Sequence, residues 1–156
     1  GRVAATYDMS PRGNGYLVPI IPKSDFVFDG RNSAGVNQDV PVAVGVDASS
    51  WVSGVLAVRL HAKNTWSTTG VLHVIVDNIM LAPEEPDVVF VATPSVASVN
   101  FIQSASPSDA PPLLKVATLT GIGPMLRVMV RWVQGTTVAP GPQTMSIGID
   151  LVGRPA

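Results

Sequence analysis

Cysteine is absent from this chain of 156 residues. The absence excludes thiol nucleophiles, thiolate metal sites and a disulfide framework. It leaves the redox compartment open, because a chain without cysteine is suited to reducing and oxidising surroundings alike. A chain of this length can bury one continuous hydrophobic core without such cross-links, so we expect a single folded domain.

Charge is also scarce: charged residues make up 13% of the chain, against about 25% in an average soluble domain. Ten basic and eleven acidic residues leave a net charge of −1. The basic residues are scattered singly, so we expect no direct binding to nucleic acid, which requires a clustered basic surface. Because 46% of the residues are hydrophobic, much of the surface must be uncharged, and such surfaces often pack against another molecule.

Long apolar runs and helical periodicity are missing as well. No stretch approaches the roughly 20 apolar residues of a membrane-spanning helix, so no membrane partner is expected. No window sustains a 3.6-residue apolar rhythm, and the 14 glycines and 14 prolines disfavour long helices. The prolines fall at the ends of apolar runs or between them, where they delimit strands.

The apolar runs themselves have the two-residue alternation of β-strands. The strongest are 55–61, 71–77, 125–133 and 144–151, and the weaker ones are 16–21, 40–46, 88–92, 96–102 and 113–119. Eight or nine strands in one domain predict an all-β fold, an antiparallel jelly-roll-like β-sandwich. Residues 1–35 are predicted to form an N-terminal arm with a possible short strand, and residues 36–156 the sandwich domain.

The only two histidines, His61 and His73, flank a polar segment that ends in glycine. We expect a hairpin centred near Ser67, which would place the two imidazoles opposite each other on the outward face. A metal site needs a third and a fourth ligand, and the sequence offers none at ligand spacing. We therefore interpret them as exposed strand histidines and expect neither a metal nor another cofactor.

No catalytic group stands out in the sequence. The one acidic cluster, Glu84, Glu85 and Asp87, lies between prolines and is interpreted as a solvated turn rather than a pair of separated catalytic carboxylates. No Gly-x-Ser-x-Gly motif is present, and residues 121–124 lack the rest of a dinucleotide-binding fingerprint. The sequence thus predicts a protein that is not an enzyme.

Aromatic residues supply the candidates for contact with a partner. Trp132 lies on the apolar side of the alternating strand 125–133, so we expect it in the core. Trp66 lies in the polar loop after 55–61. An indole there would either stack on a sugar or a protein surface, or fold back onto its own domain. The predicted interface or ligand contacts are Trp66, Tyr16, Trp51 and Asn64.

From residue 44 onward the chain resembles the jelly-roll structural proteins of viruses and tailed phages, including capsid and head-decoration proteins. The resemblance rests on 46–51 leading into 56–61, on 72–76, on the proline-bounded 88–91 and on the final strand 145–152. It implies a virion protein that assembles with itself, as a trimer or larger, and with a capsid shell protein. The same order of features resembles jelly-roll carbohydrate-binding modules, which implies a secreted or cell-surface protein with a glycan ligand.

Overall fold

The computed structural model describes residues 15–30, 35–103, 110–135 and 141–156. In these ranges the chain forms nine β-strands and no α-helix, and so no helix there is long and apolar enough to cross a membrane. All nine predicted strand segments are confirmed. The strands are β1 (Tyr16–Phe28), β2 (Asn37–Asp47), β3 (Trp51–Lys63), β4 (Val71–Ala82), β5 (Glu85–Val91), β6 (Ala97–Ile102), β7 (Leu113–Thr118), β8 (Met125–Val133) and β9 (Gln143–Pro155).

The strands form two antiparallel sheets that face each other. The first sheet has the order β1-β9-β3-β7, and the second has the order β2-β8-β4-β5 with β6 also paired to β4. The first strand pairs with the last, the second with the eighth, the third with the seventh and the fourth with the sixth. This is the topology of a long antiparallel ribbon rolled into a sandwich, which confirms the predicted jelly roll.

The core is made by the alternate residues that point between the sheets. Leu56, Val58 and Leu60 of β3, beside the inward residues of β9 in the same sheet, face the inward residues of β4 and β8 across the sandwich, and Trp132 is fully buried among them. The apolar residues that alternate along β8 and β9 in the sequence are thus the residues that point into the core. Met129 is an exception to this alternation, since it lies between Val128 and Val130 and is nevertheless buried.

The predicted hairpin between β3 and β4 is wrong. β3 belongs to the first sheet and β4 to the second, so the connection between them crosses one end of the sandwich. His61 and His73 consequently lie in different sheets and do not face each other. His73 Nδ1 instead lies 2.6 Å from Oδ1 of Asn100 on the neighbouring strand.

Burial of Trp66 explains why this connection crosses the sandwich. Its ring is 3% exposed and packs edge-on against Trp132, with 5.3 Å between ring centroids. The indole Nε1 donates a hydrogen bond of 3.0 Å to the carbonyl oxygen of Thr144. A tight β3–β4 hairpin would lose this burial, which favours the crossing.

β1 is longer than the short strand that was predicted within the arm. Residues 16–28 pair with β9 along most of its length, with register shifts around Ile21. Of the rest of the predicted arm, residues 1–14 and 31–34 lie outside the described residues. The boundary proposed at residue 35 stays a prediction.

Candidate interaction surfaces

The four predicted contact residues form two separate pairs. Tyr16 and Trp51 lie edge to face with 5.9 Å between ring centroids, and the Tyr16 hydroxyl lies 3.4 Å from Oγ of Ser50. Trp51 is buried over Gly153, where a Cβ would lie 2.3 Å from the indole. The two tryptophans therefore pack within the domain and do not present exposed stacking faces. Whether Tyr16 and Asn64 contact a partner stays a prediction.

Asn64 joins the crossing connection to β9. Its Nδ2 donates to the carbonyl oxygen of Pro142 at 2.8 Å, and its Oδ1 accepts from the backbone N–H of Thr144 at 3.0 Å. Asn64 also borders a groove of 440 Å³ whose walls include Asp25 and Lys63. Partial burial lowers the pKa of Lys63, whose ammonium lies 4.6 Å from the ring centroid of Trp66 and donates to Oε1 of Gln103.

No metal centre is found in this region or elsewhere in the described ranges, where no three His, Asp or Glu side chains come together. The acidic cluster lies at the β4–β5 connection, a tight turn formed by Pro83 and Glu84. Every residue from 83 to 95 is exposed. The interpretation of the cluster as a solvated turn is confirmed.

An exposed apolar ribbon lies apart from the four predicted contact residues. Residues 79–91 form a two-stranded ribbon, the β4–β5 ribbon, in which Ile79 pairs with Val91 and Met80 with Phe90. All seven residues of β5 are exposed, and β4 is its one hydrogen-bonded neighbour among the described strands. Met80 is 68% exposed and Phe90 50%.

Both faces of the β4–β5 ribbon are apolar. Met80, Val88 and Phe90 lie on one face, and Leu81, Val89 and Val91 on the other. The signal in the sequence was the uninterrupted run 88–91, since such runs are typical of strands covered on both faces. In the single chain both faces are exposed apart from the buried Ile79 and Ala82 of β4. The ribbon thus combines the composition of a buried strand with the exposure of a surface strand.

The root of the β4–β5 ribbon is held firmly on the second sheet. Asp77 accepts hydrogen bonds from Nη2 of Arg127 at 2.9 Å and from Oγ of Ser95 at 2.8 Å. Asn78 donates to the carbonyl oxygen of Gly121 at 2.7 Å and accepts from the N–H of Gly123 at 2.7 Å. These bonds fix the direction in which the ribbon leaves the sandwich.

A second apolar surface lies on the outward side of the first sheet. This Val116 groove has a volume of 480 Å³ and is lined chiefly by Val55, Ala57, Val116, Val152 and Arg154. Val116 is 60% exposed.

An ion pair lies on the sheet beside this groove. Arg59 donates to Oδ2 of Asp150, and its guanidinium lies over Gly148, where a Cβ would be 2.3 Å from Nη2. Glycine at this position therefore leaves room for the arginine to lie along the sheet. Leu114, opposite Arg59 on β7, extends the exposed apolar area.

Neither a protein-family model nor a curated protein sequence matches this chain. Among solved structures, the fold is similar to VP2 of infectious bursal disease virus in a subviral particle. The TM-score is 0.52 at 14% identity, over 97% of this chain and 34% of that one. A structure of the Gt strain of the same virus has a TM-score of 0.45 at 13% identity, over 97% of this chain and 35% of that one.

The chain spans about a third of the length of that VP2 chain, of which it covers 34%. At such low identity the likeness shows a shared fold. The predicted resemblance to viral jelly-roll proteins is therefore confirmed at the level of the fold.

Proposed function

We propose that this chain is a non-enzymatic structural protein of a virus particle that acts by self-assembly. The observation that carries the proposal is the β4–β5 ribbon, which has the composition of a strand covered on both faces and is exposed in the single chain. Burial of such apolar area in repeated, symmetric contacts is the physical basis of assembly. The fold shared with a viral capsid protein supports this proposal.

Within the virion, the charge distribution favours an outer or decorating position, or a shell in which another component meets the genome. The ten basic residues are scattered singly along the sequence and are balanced by eleven acidic ones, which disfavours direct neutralisation of a nucleic-acid backbone. The partners we propose are further copies of the chain, as a trimer or larger, and a capsid shell protein. Neither a cofactor nor a membrane has a role in this mechanism.

The glycan-binding alternative has less support from the structure. It relied on Trp66 as an exposed stacking surface, with Trp51 or Tyr16 beside it. Both tryptophans are buried, and a buried indole offers no face to a sugar ring. Phe90 is an exposed aromatic residue, but it lies among aliphatic side chains on a ribbon rather than in a polar binding site.

The mass of the purified chain in solution, measured by light scattering over a range of concentrations, tests the proposal. We expect a trimer or larger species, together with particles or ordered arrays by electron microscopy. The double variant Met80→Ser/Phe90→Ser should shift the mass toward the monomer. Because both side chains are exposed, its unfolding temperature should stay close to that of the original chain.

A matched control is Val27→Ser, which removes an equally exposed apolar side chain from β1. This control should assemble like the original chain. A monomer at every soluble concentration, for both the original chain and the control, would overturn the proposed self-assembly.

A further inference from the structure

The β4–β5 ribbon and the Val116 groove are two exposed apolar surfaces of the described residues, and they cannot cover each other within one chain. The ribbon extends the second sheet, whereas the groove lies on the outward side of the first. Each surface therefore needs an occupant from another molecule.

Their charges are complementary as well. The tip of the ribbon carries Glu84, Glu85 and Asp87, all exposed, and none has an ion-pair partner among the described residues. Arg154 at the rim of the groove is exposed and likewise has no ion pair there. Apolar sides with an acidic tip thus match an apolar floor with a basic rim.

From this match we propose that the β4–β5 ribbon of one copy docks into the Val116 groove of a second copy. The inference rests on the proposed self-assembly and names the two surfaces that would carry it. Because the donor and acceptor surfaces differ, the contact is heterologous, and each copy can give its ribbon to one neighbour and receive the ribbon of another. Such contacts build a ring or a lattice instead of stopping at a dimer.

The competing arrangement is a symmetric contact in which the free edge of β5 pairs with β5 of a second copy. Exposed strand edges are prone to such pairing, but β5 begins with Glu85, Pro86 and Asp87, and proline and charge on an edge strand disfavour it. It would add backbone hydrogen bonds but leave the apolar faces of Met80, Phe90 and Leu81 exposed. Docking into the groove covers at least one of these faces, and therefore removes more apolar surface from water.

The absence of cysteine makes disulfide trapping a clean test. The variant Val88→Cys/Val116→Cys places one thiol on the ribbon and one in the groove. After mild oxidation of the assembled protein, we expect a ladder of dimers, trimers and larger cross-linked species on a non-reducing gel. Each single variant should remain uncross-linked, because its thiol meets no second thiol in a heterologous contact.

The matched control is Val27→Cys/Val116→Cys, which moves the first thiol from the ribbon to β1 and should give no ladder. Cross-linked dimers from Val88→Cys alone would show symmetric pairing and overturn the inference. An assembled sample in which the Val88→Cys/Val116→Cys variant forms no ladder would overturn it too, with the proposed self-assembly intact. A monomeric sample would instead overturn both.

Charge reversal gives a second readout. Glu84→Lys or Arg154→Glu alone should weaken the assembly a few-fold, and the two together should restore part of the affinity, since the reversed charges can form an ion pair with each other and the two effects are then not additive. A double variant weakened by the sum of the two single effects would contradict the pairing of tip and rim.

Discussion

The guanidinium Nη2 of Arg127 donates a 2.9 Å hydrogen bond to Oδ2 of Asp77, its direct cross-strand neighbour at the root of the β4–β5 ribbon. The Asp77 side chain is 7% exposed and that of Arg127 18%. This ion pair is therefore largely removed from water, and loss of one partner leaves the other charge poorly solvated.

We expect Asp77→Ala to lower the free energy of unfolding by about 2–4 kcal/mol, since breaking a buried ion pair strands a charge. Urea denaturation measures the loss. The matched control is Asp39→Ala, which breaks the bidentate pair of Asp39 with Arg131 at a far more exposed site. That change should cost about 0–1 kcal/mol, as exposed pairs usually do. Equal losses in the two variants would contradict the structural role of Asp77.

Substitution of Trp66 tests whether its indole packs in the core or serves as a contact for a partner. Because its ring is buried against Trp132, Trp66→Ala should destabilise the fold by roughly 3–5 kcal/mol, the range for removing a large core aromatic. Phe90→Ala, at an exposed position, should change stability by about 0.5 kcal/mol or less. Unchanged unfolding of the Trp66→Ala variant would show that the indole is not part of the core.

The alternation of apolar and polar residues made the strands predictable. It carries no information about which strands pair over long distances in the chain, and this explains the wrong β3–β4 hairpin. Leu126, Val128 and Val130 follow a two-residue period, which indicates a strand with a buried face. The sheet in which each strand lies depends on pairings far apart in the chain, such as β1 with β9. The hairpin proposed for His61 and His73 was therefore predicted only because their strands are consecutive in the sequence. The burial of Trp66 favours the crossing connection instead.

The interaction surfaces could be read only in part. The run 88–91 was recognised as a strand, but a sequence does not show whether a partner within the same chain covers it. The Val116 groove combines residues from three strands, β3, β7 and β9, so no local pattern marks it. The strand pairing also limits how much of the predicted arm can be deleted without loss of β1: a deletion should end at residue 14, because β1 begins at Tyr16 and pairs with β9.

Gly135 lies where the crossing connection contacts the end of β8. A Cβ at this position would be 2.0 Å from the carbonyl oxygen of Thr68 and 2.4 Å from the N of Gly70, and backbone atoms cannot move aside as a flexible side chain can. Gly135→Ala should therefore cost about 1–3 kcal/mol or more. At Gly141 a Cβ would meet nothing within 4 Å, so Gly141→Ala should have little effect or stabilise slightly. Thermal unfolding of the two variants, compared side by side, checks the difference.

Lys63 gives a prediction for the pH dependence of stability. Burial lowers its pKa in the folded chain, while the unfolded chain keeps the ordinary value of 10.5. Between the folded pKa and 10.5 the unfolded state binds more protons, so the contribution of Lys63 to the free energy of unfolding rises with pH through that window. Urea denaturation of the original chain and of Lys63→Met, from neutral pH to above 10.5, should show their difference shifting in favour of the original chain. A shift in the opposite direction would indicate that the ammonium is stabilised by an acidic partner.

Salt distinguishes an apolar assembly contact from an ionic one. The acidic tip of the β4–β5 ribbon and Arg154 provide at most a few exposed ion pairs, each contributing about 0.2–1 kcal/mol and weakened by salt. The apolar side chains on the ribbon contribute more, because burying a single Val, Leu or Phe side chain stabilises by about 1.5–3 kcal/mol. Sodium chloride should thus weaken self-assembly only slightly, while ammonium sulfate should strengthen it by favouring apolar burial. Light scattering measures the dissociation. If moderate sodium chloride dissociates the assembly, ionic contacts contribute more to its stability than the apolar faces of Met80 and Phe90.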